Sequence, residues 1–348
     1  LEDMRLNVPL LRQRVPNLTS AARSVGLRSA TVSNLCTGKI PVSRAEVRTL
    51  VALASLARCS LDELILFGER FEMIETGIKM LDLFAPLVKG GTTGLVARPM
   101  MGQLVILAEL FYRLRKKGYA TVLLKPEGDH PEIEDVTGDV EVVCNSVEEA
   151  YAHISRIGST RDVILAADRS HVLSNEIYTL QDRLHQADVV SLTTFLVDLK
   201  GEAIDEDLPF GPLETLWQFD ADLAVRHIYP SVNPLLSTSE IIEGTNADPL
   251  HQSIGQKAKK LLRRYKELRF LVQVQGKEGL PVSETQTFMR GERLEAYLTQ
   301  PLYVAEAFTG TVGVTVSLQE TLQDVQRILE GVVDQKDIKE LMYIGRLQ

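Results

Sequence analysis

Residues 75–110 read ETGIKMLDLFAPLVKGGTTGLVARPMMGQLVILAEL, and the run at 92–97 inside this stretch sets the fold. Further runs rich in Val, Ile and Leu recur at 119–124, 140–143, 162–167 and 189–198, with helical patterns between them. Continuous apolar runs of this length, in place of alternating ones, are what parallel strands covered by helices on both faces require. The stretch from about 91 to 230 is therefore expected to be an α/β unit on a parallel sheet. After Pro230 the strand signals stop, and 250–275, 283–299, 301–308 and 317–332 read as helices. The single tryptophan, Trp217, falls in a Pro- and Gly-containing connection with no evident role.

Upstream of the sheet, residues 4–68 read as short helices with tight turns and no strand pattern. In TSAARSVGLRSATVSNLCTG, residues 19–38, Thr19 or Ser20 can cap a helix. Ala22, Gly26 and Val32 have the spacing that two closely crossing short helices need. The small residue permits the approach, the glycine makes the turn, and the β-branched residue fills the gap. Ser29 is expected to cap the second helix, whose outward positions are Ser29, Ala30, Thr31, Ser33 and Asn34. Such small, hydrogen-bonding side chains suit base edges and phosphates in a major groove, and Arg28 and Lys39 add a cation at either end. A helix over 43–57, with Val47, Leu50, Val51, Leu53 and Ala54, closes the small core. Ser60 and Glu63 form a capping box for the next helix.

The charge is distributed unevenly. The chain of 348 residues carries a net −9, yet residues 1–58 hold nine Lys and Arg against Glu2, Asp3 and Glu46. A basic head on an acidic body points the head at a polyanion. The composition, 45% hydrophobic and 24% charged, is that of a globular protein, and no apolar run approaches the ~18 residues of a membrane span. Three scattered cysteines, Cys36, Cys59 and Cys144, speak against a disulfide framework or zinc site and for a reducing compartment. The six histidines have no ligand spacing, so no metal is expected. No stretch near the start has the pattern of a secretory signal, and a cytoplasmic location is expected.

From Thr19 to Leu64, with TVSNLCTGK and CSLDELI, the head resembles the phage-repressor (Cro-like) helix-turn-helix family. In that family the second motif helix, here about 29–37, enters the major groove. Positions where many such domains carry Gln or Arg hold small residues here, so shape or dimerisation would supply part of the specificity.

From about Glu75 to Gln348 the chain resembles the catalytic beta subunit of rotary ATP synthases. Besides the stretch quoted first, Tyr229-Pro230-Ser231-Val232-Asn233-Pro234, Ser237-Thr238-Ser239, Tyr265-Lys266-Glu267-Leu268, Gln300-Pro301 and Val304 to Gly310 carry the resemblance. It implies a RecA-like parallel sheet followed by a helical C-terminal domain, with the DNA-binding head in place of the family's N-terminal barrel. The departures bear on function. A working phosphate loop reads GxxxxGK[ST]; its glycines let backbone N–H groups wrap the phosphates, its lysine reaches the outer phosphates, and its hydroxyl holds Mg²⁺. The matching stretch here runs from Ala97 to Leu104, with Gln103 for the lysine and Leu104 for the hydroxyl. Only Gly102 survives of the glycines, and Pro99 removes a donor. The arginine that completes a neighbour's site is replaced by Glu240. The resemblance places Asp168 at the magnesium-linked aspartate and Glu127 at the water-activating glutamate, although the segment between them is shorter here. Tyr229 and Phe308 match the aromatic pair that sandwiches adenine, and Arg98 and Lys125 offer replacement charge for a phosphate.

The expected architecture is multidomain. It comprises an all-α helix-turn-helix head (4–68), an α/β RecA-like core with a degenerate phosphate loop (75–245) and an α-helical C-terminal domain (246–348). The expected function is sequence-specific binding of double-stranded DNA through Arg28, Ser29, Thr31, Ser33, Asn34 and Lys39. The core is read as a pseudo-ATPase that serves homo-oligomerisation. A nucleotide bound without hydrolysis is the candidate ligand of a pocket formed by Arg98, Gln103, Glu127, Asp168, Tyr229 and Phe308. The alternatives are an accessory subunit of a synthase-like ring and a nucleic-acid-dependent ATPase. The basic helix at 256–269 reads either as a solvated face or as a phosphate contact.

Overall fold

The computed structural model describes residues 4–347 except 16–17, 37–39, 68–70, 129, 188, 190, 204–208, 212 and 244–246. Two compact units emerge: Leu1–Glu72 with Glu240–Asp248, and Met73–Ser239 with Pro249–Gln348. The C-terminal helices, expected as a domain of their own from residue 246, therefore share one compact unit with the sheet. Among the described residues, no helix is long and apolar enough to cross a membrane.

The first unit is built from helices Val8–Arg14, Leu18–Ser24, Ser29–Cys36, Val47–Ala57 and Leu61–Leu64. Ala22, Val32, Leu35, Leu53 and Leu64 are buried at its centre. Gly26 makes the turn after the second helix at φ +76°, a conformation that costs glycine little and other residues more. The capping box forms as expected: the Glu63 amide donates to Ser60 Oγ at 3.2 Å and the Ser60 amide to Glu63 Oε2 at 2.8 Å. Four expectations need correction. The second helix already begins at Leu18, which puts Thr19 and Ser20 inside it and not at its cap. The third begins at Ser29 itself, and the Arg28 carbonyl accepts the Val32 amide. The helix expected from 43 begins at Val47, where Val47 is 71% exposed and Val51 also points outward. Leu50, Leu53, Ala54 and Ala57 lie with Thr49 on the buried face of the helix. Finally, β1 (Met4–Leu6) pairs antiparallel with β2 (Ile65–Phe67). Strands of three residues are too short to leave a readable alternation.

In the second unit, β3 (Met73–Ile74) and β4 (Leu87–Val88) form a small antiparallel pair. The main sheet comprises β5 (Thr92–Val96), β6 (Ala120–Leu124), β7 (Val142–Cys144), β8 (Val163–Asp168), β9 (Leu192–Val197), β10 (Thr215–Gln218) and β11 (Thr238–Ser239), in the order β11-β10-β5-β9-β8-β6-β7. Every neighbouring pair is parallel except β10 with β11. The five runs read from the sequence coincide with β5 to β9.

Strand alternation distributes the side chains of β8 between two cores. Ile164 and Ala166 belong to the core that includes helix Gln103–Lys116, whereas Val163, Leu165 and Ala167 belong to the one that includes Val147–Ile157 and Glu176–His185. With both faces covered, the strand sequence is continuously apolar. Trp217 is a correction: it lies in β10, fully buried, its Nε1 donates to the Ala85 carbonyl at 2.8 Å, and its ring packs 5.7 Å from that of Phe195. Proline and glycine in the flanking connection hide a four-residue strand.

The helices Pro249–Gln275, Val282–Leu298 and Leu318–Glu330 complete this unit. They are tied to the start of the sheet by buried polar groups. Asp82 accepts bonds from the Thr76 amide and hydroxyl and from the Gly77 amide. Arg113 is held by Glu109 at 2.6 Å and donates to the carbonyls of Gly77 and Val314. Lys79, fully buried, donates to the carbonyls of Tyr297, Ile344 and Gly345, and its ammonium lies 4.0 Å from the centre of the Tyr297 ring.

Candidate functional site

The two stretches singled out by sequence lie in different units, and each is built locally. In the first unit, the turn through Gly26 leads into helix Ser29–Cys36. Val32 and Leu35 anchor the helix inward, which leaves Arg28, Ala30 and Ser33 exposed and Ser29, Thr31 and Asn34 half-buried. Arg23, which sequence reasoning missed, donates from Nε to Ser29 Oγ at 2.8 Å. It bridges the turn and holds one of the expected contact hydroxyls. Lys39 lies outside the described residues.

In the second unit, β5 runs into the loop 97–102, which opens helix Gln103–Lys116. The strand–loop–helix order expected from the sequence is present, and two of the loop's backbone groups are engaged within the fold. The Arg98 amide points at Met101 Sδ, 3.2 Å away, and Pro99 has no N–H to offer. Met101 is buried, and its carbonyl accepts Ser231 Oγ at 2.6 Å. Gly201 packs so tightly on the loop that a Cβ there would come 2.4 Å from Pro99 Cδ. Met100 forms the apex at φ +65° and is 99% exposed. Gln103 is only 5% exposed, and its Oε1 is buried with no partner among the described residues.

Asp168 ends β8 and is buried. Its Oδ2 accepts the Ser170 amide at 2.8 Å, capping helix Arg169–Leu173, and its Oδ1 accepts the Leu199 amide at 3.1 Å. Both oxygens serve backbone donors. Beside Asp168, at the carboxyl ends of β6, β8 and β9, is a narrow apolar cleft lined by Leu104, Leu107, Leu124, Ile133 and Val197. Leu104, at the position where a magnesium-binding hydroxyl is expected, is part of that apolar wall.

The other expected pocket residues do not converge there. Glu127 is exposed, its carbonyl facing His130 Nε2 at 3.2 Å. Arg98 is exposed, and Lys125 lies 3.4 Å from Glu134. Tyr229 is partly exposed, its carbonyl accepting the Gln300 amide at 3.0 Å, and Phe308 is 91% exposed on helix Glu306–Thr309. Glu240 opens the short helix Glu240–Glu243. The bonds that Ser231 makes to the loop and Leu199 to the aspartate have no sequence signal, because one is long-range and the other comes from a backbone N–H.

Residues 240–339 match the family described as the C-terminal domain of V and A type ATP synthase. This part of the chain is ATP synthase-like. The matched segment includes the ion-paired helices Pro249–Gln275 and Val282–Leu298, where Arg264 bridges Glu267 at 2.6 Å and Glu284 at 2.7 Å. Arg226, from the segment before the match, grips Glu295 with both terminal nitrogens at 2.6 and 2.7 Å. The ATP synthase-like helices are thereby fastened to the sheet that precedes them.

Proposed function

We propose that the protein is a DNA-binding regulator in which a helix-turn-helix head is joined to an ATP synthase-like core that does not hydrolyse ATP. The observation that carries this reading is the helix Ser29–Cys36. It buries Val32 and Leu35 and turns Arg28, Ala30 and Ser33 outward, in a segment with nine Lys and Arg against three acids. A cationic segment that presents small polar side chains on one helix face matches the chemistry of a major groove. The core supports the second half of the reading. Transition-state charge in phosphoryl transfer needs a lysine, a metal ligand and free donors. Here those positions hold Gln103, Leu104, and an Asp168 occupied by amides. The core then serves to pair two heads in a homo-oligomer, as half-site recognition requires, and a nucleotide held without turnover is its candidate effector.

The reading is tested by mixing the full-length protein with fragments of its own genome at physiological salt and sequencing what is retained. Enrichment of a few sites, lost on changing Thr31, Ser33 and Asn34 to alanine, is the expected result. Uniform or absent retention would overturn it. The match over 240–339 favours one other reading, an accessory subunit of a synthase-like ring. That reading requires co-purification with an alpha-like partner.

A further inference from the structure

Helix Pro249–Gln275 carries seven Lys and Arg against the single Glu267. This is a net of +6 inside a body whose residues 59–348 total −15. Four of the seven cations are engaged. Arg264 bridges Glu267 and Glu284, Arg269 reaches Asp222 at 2.5 Å, Lys266 lies 3.8 Å from Asp220, and Lys259 donates to the Ser237 carbonyl at 3.4 Å. The other three, Lys257, Lys260 and Arg263, are exposed and have no hydrogen-bond or ion-pair partner among the described residues. They recur every three residues, which on a helix makes a ridge along one face about 9 Å long. Leu262, Tyr265 and Leu268 anchor the opposite face, so the ridge is held rigidly.

A row of unpaired cations on an otherwise acidic body is costly in self-repulsion and gains from a polyanion. One strand of a DNA duplex presents a negative charge about every 3.4 Å of axis, so the ridge spans about three phosphates. We propose that Lys257, Lys260 and Arg263 form a second DNA contact, carried by the ATP synthase-like body, that grips the duplex backbone without reading its sequence. This rests on the DNA-binding reading above and assigns it an additional surface.

The test measures binding of the full chain to a duplex across a salt series. Each phosphate contact contributes about −0.9 to the slope of log affinity against log salt. Changing Lys257, Lys260 and Arg263 together to glutamine should make the slope shallower by about 2 to 3. A charge-matched control, Arg115, Arg156 and Lys339 to glutamine, should leave the slope unchanged. The triple Lys257→Arg, Lys260→Arg, Arg263→Lys should also keep it. A wild-type slope in the glutamine ridge variant would overturn the inference and leave the head's role standing. Wild-type protein that binds no duplex even at low salt would overturn the DNA-binding reading and the ridge with it. Binding to vesicles of three parts phosphatidylcholine to one part phosphatidylglycerol that falls with the ridge, while duplex binding does not, would reassign the surface to anionic lipid and overturn the DNA contact.

Discussion

Asp168 Oδ1 and the Leu199 amide are joined by a hydrogen bond of 3.1 Å that links the carboxyl ends of two neighbouring strands, β8 and β9. With the Ser170 amide on the other oxygen, the carboxylate is fixed in place by the fold, and removing it would leave two backbone donors unsatisfied, each costing about 1–3 kcal/mol.

Restoring the two missing side chains should not restore catalysis. The double variant Gln103→Lys, Leu104→Thr is expected to release no phosphate from ATP above background. Pro99 still withholds a donor, Met101 still fills the loop, and Asp168 stays engaged. Measured turnover in that variant would mean that two side chains alone separate this loop from a working one.

On the head, Arg28 is exposed at the start of helix Ser29–Cys36 and Ser33 is exposed one turn on. Arg28→Ala and Ser33→Ala are each expected to weaken binding to an enriched DNA site by about 1–3 kcal/mol if they meet base edges. Arg23→Ala should act indirectly, by removing one of the bonds that hold Ser29. Fluorescence anisotropy with matched and scrambled duplexes separates the two effects. Equal losses on both duplexes would mean that these side chains meet only the backbone.

Trp217 is the buried side chain whose role the sequence concealed. Trp217→Phe removes the donor to the Ala85 carbonyl and is expected to cost about 1–3 kcal/mol. Trp217→Ala adds a cavity against Phe195 and should cost about 3–5 kcal/mol. Urea unfolding followed by circular dichroism measures both. A loss under 1 kcal/mol for the alanine variant would mean that β10 is not part of the cooperative core.

What could be read in advance follows from the range of the interactions. β5 to β9 announce themselves because a doubly covered strand must be apolar at every position, as in Val163–Ala167. The capping box at Ser60 and Glu63 is local and equally plain. Trp217, Arg23 and the three-residue strands β1 and β2 depend on partners far along the chain or across a turn, and single-chain patterns do not encode them. At the loop 97–104 the sequence offers only the residue types, Gln103 and Leu104. That Asp168 is occupied was not legible, because its partner is a backbone N–H, which every residue but proline has.

Lys79 links the core to the pH of its surroundings. Burial pushes its ammonium down from 10.5 to about 7, against the opposing pull of Asp324. The unfolded chain consequently binds the proton more tightly than the folded one between about pH 7 and 10.5. Folded stability contributed by this group rises with pH through that window, with a slope of at most about 1.4 kcal/mol per pH unit, and levels off above it. Asp82, which burial pushes up to about 7, acts with the opposite sign below that range. Its contribution falls as pH rises from about 3.8 to 7. The two are separated by comparing the wild type with Lys79→Gln, which lacks only the first slope. Urea unfolding at pH 7, 8 and 9, read through the fluorescence of the single tryptophan, should show the wild type gaining stability relative to the variant at each step. A constant difference across the series would mean that Lys79 stays charged in its cage of carbonyls, and that the three acceptors and the Tyr297 ring outweigh its burial.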